Sequence, residues 1–171
     1  MRTFVQLDVQ NLFFAAKDIN KRIDFEKIMR YFIESRDVEL FSIKAYTVRT
    51  EEINSSKFEG LLKRLNYSLN AKTAAITYDR DGNKRYHNTD QDMAICVDCM
   101  DNIDKFDKCV IMSGDGDFID LIKHLRKKGK KVDVWALPGK SFNKRLCDHV
   151  DSVKFLSGEF LYSNTRKRST L

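Results

Sequence analysis

Apolar positions along the chain follow two rhythms, short unbroken runs and stripes at helical spacing, and the two alternate. Phe4-Val5-Gln6-Leu7 reads as a first strand, closed by Asp8-Val9-Gln10-Asn11 before the helical Leu12-Phe13-Phe14-Ala15-Ala16. Asp24 caps a second helix whose apolar residues Phe25, Ile28, Met29, Phe32 and Ile33 recur at i, i+3, i+4, i+7 and i+8, a core-facing stripe. Residues 40–48 are strand-like, rich in β-branched and aromatic side chains, and Ser55 or Ser56 then opens a helix carrying Phe58, Leu61, Leu62, Leu65 and Leu69. Residues 73–78 read as a third strand, 109–112 as a fourth and 131–136 as a fifth. Further helices are predicted from a Thr89 cap through Asp98, over 119–125, and over 142–150 behind a Ser141 cap. Strands alternating with helices of this length imply an α/β fold, with parallel crossovers in a helix-covered sheet. None of these helices carries a surplus apolar face suited to a dimer.

Composition changes this picture little. A chain of 171 residues, 42% hydrophobic and 33% charged, suits one soluble domain with a real core. We expect that domain over residues 1–160 and a basic tail over 161–171. Cys96, Cys99, Cys109 and Cys147 lie in periodic apolar segments without a second Cys or His pair at zinc spacing, and read as reduced core residues. The N-terminus has no signal-peptide core and no apolar run reaches the length of a membrane span, which predicts a cytoplasmic protein without membrane contact.

Charge changes it more. The net charge is +6 and the pI about 9.1, with Arg166, Lys167 and Arg168 supplying half of the excess, and a basic surface attracts polyanions, nucleic acid above all. Against this background the acids gather where strands end. Ser113-Gly114-Asp115-Gly116-Asp117-Phe118 joins a strand to a helix, which brings its side chains to the carboxyl edge of the sheet. One helix cap needs a single Asp, and this stretch holds Asp115, Asp117 and Asp120. Asp8 ends the first strand, and Asp92 stands in the first turn of a later helix. In a doubly wound sheet Asp8, Asp92, Asp115 and Asp117 converge. Asp98 lies six residues past Asp92, roughly 240° around a helix, and is excluded from that group.

Unpaired carboxylates about 4 Å apart repel by roughly 4 kcal/mol per pair at an effective dielectric near 20, so four of them call for a cation. Mg²⁺ or Mn²⁺ suits an all-oxygen site and supports phosphodiester hydrolysis by an activated water. Two basic segments accompany the acids. Lys84, Arg85 and Tyr86 follow a turn signal at Asp79–Asn83 and read either as an arm that holds phosphates and stacks on a base or as a solvated hairpin. Lys140, Lys144 and Arg145 fall near the same sheet edge, as strand contacts or as a solvated basic face.

Three motifs in order, Asp8-Val9-Gln10-Asn11, Asp92-Met93-Ala94-Ile95-Cys96-Val97-Asp98 and Val110-Ile111-Met112-Ser113-Gly114-Asp115-Gly116-Asp117-Phe118, resemble the NYN domains, PIN-like ribonucleases of the LabA and DUF88 group. The closing stretch from Ser141 to Leu156 is similar to that group's last helix and strand, so the resemblance spans roughly residues 3–156. It implies a PIN-like three-layer α/β/α sandwich, about five mainly parallel strands in the order 3-2-1-4-5, and Mg²⁺- or Mn²⁺-dependent cleavage of RNA. Asp8, Asp92, Asp115 and Asp117 take the catalytic and metal-binding positions, Asn11 the polar position after the first acid, and Ser113 a supporting one. The sequence before Asp92, Tyr86-His87-Asn88-Thr89-Asp90-Gln91, is more polar than the Val-Asp-Val context usual there. The alternative is an RNA-binding or protein-interaction module that keeps the acidic pocket without turnover. RNA is the expected partner in either case, and the sequence leaves a homo-oligomer or protein partner open.

Overall fold

The computed structural model describes residues 1–50, 55–87 and 90–163, and of Tyr86 the backbone alone. The chain runs β1 (Arg2–Asp8), α1 (Val9–Asp18), β2 (Lys21–Ile23), α2 (Phe25–Glu34), β3 (Glu39–Arg49), α3 (Ser56–Arg64), β4 (Ser68–Thr73), β5 (Ala75–Tyr78), β6 (Lys84–His87), α4 (Asp92–Asp101), β7 (Lys108–Met112), α5 (Ile119–Lys127), β8 (Lys131–Ala136), β9 (Ser152–Phe155) and β10 (Leu161–Ser163). Six strands form one sheet in the order β4-β3-β1-β7-β8-β9, and every pair in it is parallel.

Both faces of that sheet are covered. Val5, Leu7 and Trp135 pack with Leu12 of α1, Phe32 of α2 and Leu62 of α3, while Phe4, Tyr46 and Ile111 pack with Ile95 of α4 and Ile122 of α5. This is the three-layer α/β/α arrangement. Side chains alternate along a strand, so Val5 and Leu7 serve one core while Phe4 and Gln6 face the other, and Asp8 continues that second series toward α4. Chain direction across the sheet reverses between β1 and β7. That makes their carboxyl ends the switch point, where open α/β sheets form a crevice.

The sheet departs from the expected one at both edges. Residues 73–78 are not its third strand. That place is taken by β4, and residues 75–78 instead pair antiparallel with β6 in a separate hairpin. With the third strand moved to 68–73, the order 3-2-1-4-5 is kept and extended by β9 as a sixth strand. The helix expected over 142–150 is a 3-10 turn, Lys144–Asp148, and its cap is Asn143, whose side chain accepts from Arg145 N, in place of Ser141. Outside the main sheet, β10 pairs antiparallel with β2. The Thr89 cap and the tail bases Arg166, Lys167 and Arg168 lie outside the described residues.

Two surface features also differ. Cys147 is exposed on the 3-10 turn, whereas Cys99 and Cys109 are buried as free thiols. α4 does show an apolar outer face: Met93, Val97 and Met100, at i, i+4 and i+7, are all exposed. Among the described residues no helix is long and apolar enough to cross a membrane.

Candidate metal centre at the carboxyl edge of the sheet

β1 ends at Asp8, whose carboxylate caps α1 by accepting from Asn11 N at 3.1 Å. The same carboxylate accepts from the Ser113 hydroxyl at 3.1 Å, and Ser113 Oγ accepts in turn from Asp115 N at 3.2 Å. The Asn11 side chain crosses the crevice the other way, its Oδ1 accepting from Gly114 N at 2.9 Å. Asp8, Asn11, Ser113 and Gly114 therefore form a ring of hydrogen bonds that fixes the end of β1 against the loop after β7. Asp115 completes the local order as a cap, its Oδ1 accepting from Asp117 N at 3.0 Å. Two of the four acids thus also perform the ordinary capping role.

Each of Asp92, Asp115 and Asp117 offers a carboxylate oxygen, and the three oxygens lie within 4.8 Å of one another. Asp8 stands outside that trio and is buried. Burial raises the Asp8 carboxyl above its usual range, against the Asn11 and Ser113 hydrogen bonds, and the charge of Asp115 raises it further. Asp92 is pushed up to about 6, first by desolvation and then by the charges of Asp8, Asp115, Asp90 and Asp117. The shift of Asp92 therefore registers its burial first and four neighbouring like charges second.

The two glycines of the loop act through close approach, since neither has positive φ. A Cβ on Gly114 would stand 2.7 Å from Ser141 O and 3.1 Å from Phe142 Cα, and one on Gly116 would meet Asn143 Nδ2 at 2.0 Å. Asn143 N donates to Gly114 O at 2.9 Å, so the loop after β8 is seated directly on the acidic loop. Gly114→Ala must displace backbone, and we expect it to destabilise the fold by about 1–3 kcal/mol. Gly60→Ala in α3, where the nearest atom is an Arg64 side-chain nitrogen at 3.7 Å, should be neutral or stabilising by up to about 1 kcal/mol. Thermal melts of the two variants side by side check the contrast, and equal melting temperatures would refute the seating argument.

Asp92 is held at the start of its helix. Gln91, buried just before α4, donates from Nε2 to Thr47 O at 2.7 Å and Asn70 O at 3.2 Å, tying the helix start to β3 and β4. Of the polar residues ahead of Asp92, Gln91 acts as a pin. Asp98 faces away from the acidic group, as its angular offset predicts. It pairs with Lys44 and accepts from the Tyr46 hydroxyl at 2.5 Å, and that hydroxyl also meets the Gln6 amide.

The expected basic residues divide. Lys144 and Arg145 are exposed on the turn that begins at Asn143, beside Gly116, and Lys140 lies 3.4 Å from Asp18 at the far end of α1. Lys84 and Arg85 stand on the hairpin, where Arg85 pairs with Asp79 at 3.3 Å. The Tyr86 side chain is not among those described. Gln91 and Asn143 are the site-building residues that sequence reasoning missed. The signal for Asn143 was its type, an Asn just before a turn; for Gln91 it was an uncharged polar residue directly ahead of a helix.

Comparison with known proteins adds four likenesses. Residues 2–157 match the sequence profile of the NYN domain. The chain is 27% identical over 139 residues to the low amplitude and bright protein LabA of Synechococcus elongatus, covering 81% of this chain and 75% of that protein. The crystal structure of a protein of unknown function from Vibrio parahaemolyticus superposes with a TM-score of 0.77 at 23% identity, over 94% of this chain and 96% of that one. Ribokinase from Giardia lamblia shares the layered architecture more loosely, with a TM-score of 0.51 at 10% identity over 91% of this chain and 58% of its own. Both structural likenesses speak to fold alone.

Proposed function

The chain belongs to the NYN domain family, and from that footing we propose that it is a divalent-cation-dependent ribonuclease, hydrolysing RNA phosphodiester bonds at the carboxyl edge of its sheet. The observation that carries the reading is the trio Asp92, Asp115 and Asp117, gathered within 4.8 Å with Asp92 pushed up to about 6. Such an all-carboxylate set suits Mg²⁺ or Mn²⁺, hard cations that take oxygen ligands. These three residues would hold the cation, with Asp8 as the fourth acid. When bound, it supplies Lewis-acid chemistry, activating water and offsetting charge on the phosphodiester.

The remaining residues serve position. Ser113 and Asn11 hold Asp8 and the acidic loop in one register, which preserves the spacing of the carboxylates. Lys140, Lys144 and Arg145 orient the strand through its phosphates, Lys84 and Arg85 extend that track along the hairpin with Tyr86, and Arg166, Lys167 and Arg168 add nonspecific attraction.

The test is incubation of the purified protein with end-labelled single-stranded and structured RNAs in Mn²⁺, Mg²⁺ or EDTA. Internal cleavage that requires the metal and stops in EDTA is the expected result. Binding without products under every condition would replace the enzyme with a binding module.

A further inference from the structure

α1 buries Val9, Leu12, Ala15 and Ala16, and this face is sufficient to seat it on the sheet. Its outer face nevertheless carries two large rings, Phe13 at 58% exposure and Phe14 at 52%, their centroids 5.5 Å apart and edge to face. Their position is fixed by neighbours on the same helix. Asn11, Phe14 and Asp18 share one face at i, i+3 and i+7; Asn11 holds Gly114 of the acidic loop and Asp18 meets Lys140 of the basic loop. Phe14 therefore stands between the contact to the acids and the contact to the bases. Phe13 stands one turn before exposed Lys17.

We propose that this face of α1 is a base-stacking platform, on which Phe13 and Phe14 hold an unpaired base of the RNA whose phosphate lies at the acidic trio. The inference rests on the ribonuclease reading and names the form of RNA the site takes. Exposed rings beside bases, here Lys17 on the same helix and Lys140 at Asp18, match a single-stranded nucleic acid, which offers a π-face and a phosphate at each step. The exposed stripe of α4, Met93, Val97 and Met100, is by contrast aliphatic and offers no ring on which a base could stack. A duplex keeps its bases stacked inside, so the platform selects single strands, loops or ends.

An abasic scan tests this with the full-length protein. Binding is measured in EDTA to a labelled single-stranded RNA, to the same RNA with one abasic nucleotide at each position, and to a fully paired RNA, with cleavage in Mn²⁺ followed in parallel. Wild type should lose about 10-fold in affinity at one or two abasic positions, and Phe13→Ala/Phe14→Ala should lose about 10-fold on the intact strand while becoming indifferent to those positions. Its affinity for the paired RNA should stay within about 2-fold of wild type. Phe13→Leu/Phe14→Leu keeps the apolar bulk and should fail like the Ala pair, whereas Phe13→Tyr/Phe14→Tyr should retain binding. A Leu pair that binds like wild type, or equal losses on single-stranded and paired RNA, overturns the platform. So does a change of oligomeric state in the Ala pair by gel filtration. If wild type binds and cuts RNA while the Ala and Leu pairs match it, the platform fails and the nuclease stands; if wild type neither binds nor cuts, both fail together.

Discussion

Asp115→Asn is expected to lower metal-dependent RNA cleavage by about 10³-fold, with the fold intact. The substitution removes one of three carboxylates gathered within 4.8 Å, and with it a charge and a cation ligand. It leaves the local structure in place, because Asp115 caps the following turn through one oxygen that accepts from Asp117 N, and an Asn oxygen accepts equally well. Contact with Ser113 runs through the backbone N of residue 115 and does not depend on its side chain. Single-turnover cleavage of end-labelled RNA, with circular dichroism as the check on folding, measures the effect. A folded variant that keeps a tenth of wild-type activity would remove Asp115 from the catalytic group.

Asp92→Asn is expected to stabilise the metal-free protein while disabling it. The sign follows from the direction of the shift. Asp92 has its usual value near 3.8 in the unfolded chain and about 6 in the folded one, so between those values the folded state binds the extra proton and stability falls as pH rises. Above about 6 the full penalty of the buried, crowded charge is present; near pH 4 it is absent. A shift of that size, reduced for the solvent that still reaches Asp92, makes the variant more stable at pH 7.5 by about 1–2 kcal/mol, roughly 3–6 °C in Tm. Saturating Mn²⁺ should reverse the order, raising the wild-type Tm and barely moving the variant, because a ligand that binds only the folded state stabilises it. Wild-type affinity for Mn²⁺ should also climb as pH rises toward 6 and flatten above it, since the cation competes with the proton. Melts of both proteins at pH 4.5 and 7.5, with and without Mn²⁺, check all of this, and a variant less stable than wild type at pH 7.5 without metal would reverse the reading.

The acids were legible because strand ends in a parallel sheet are fixed by hydrophobic runs, and Asp8 and Asp115 directly follow or closely trail such runs. What the runs could not reveal was depth. Asp8 is buried outside the trio, held by Asn11 N at ordinary cap spacing and by Ser113, a contact 105 residues away that no sequence spacing reveals. The third strand went astray for a similar reason. β4 reads Ser-Leu-Asn-Ala-Lys-Thr, polar at alternate positions as befits a sheet edge, while the neighbouring hairpin strand Ala-Ile-Thr-Tyr has the stronger β propensity. Propensity found the strand former and missed the sheet member. In the last segment, Phe142, Leu146 and Val150 at i, i+4 and i+8 suggest a helix, but Asn143 is seated on Gly116 and caps a shorter, tighter turn. β9 has four residues, too few for an apolar pattern to stand out from its surroundings.

The pin at Gln91 separates two parts of the chain that are adjacent in sequence. Because its amide reaches the carbonyls of Thr47 and Asn70, the register of α4 against the sheet is set at the helix itself and not by the span that leads to it. The β5–β6 hairpin on that span closes on its own turn, with Asp79 accepting from Asp81 N and Asn83 N. It is therefore an exchangeable cassette: its tip at Asp81–Gly82 can lengthen, shorten or accept a grafted recognition element while the carboxylate of Asp92 keeps its place.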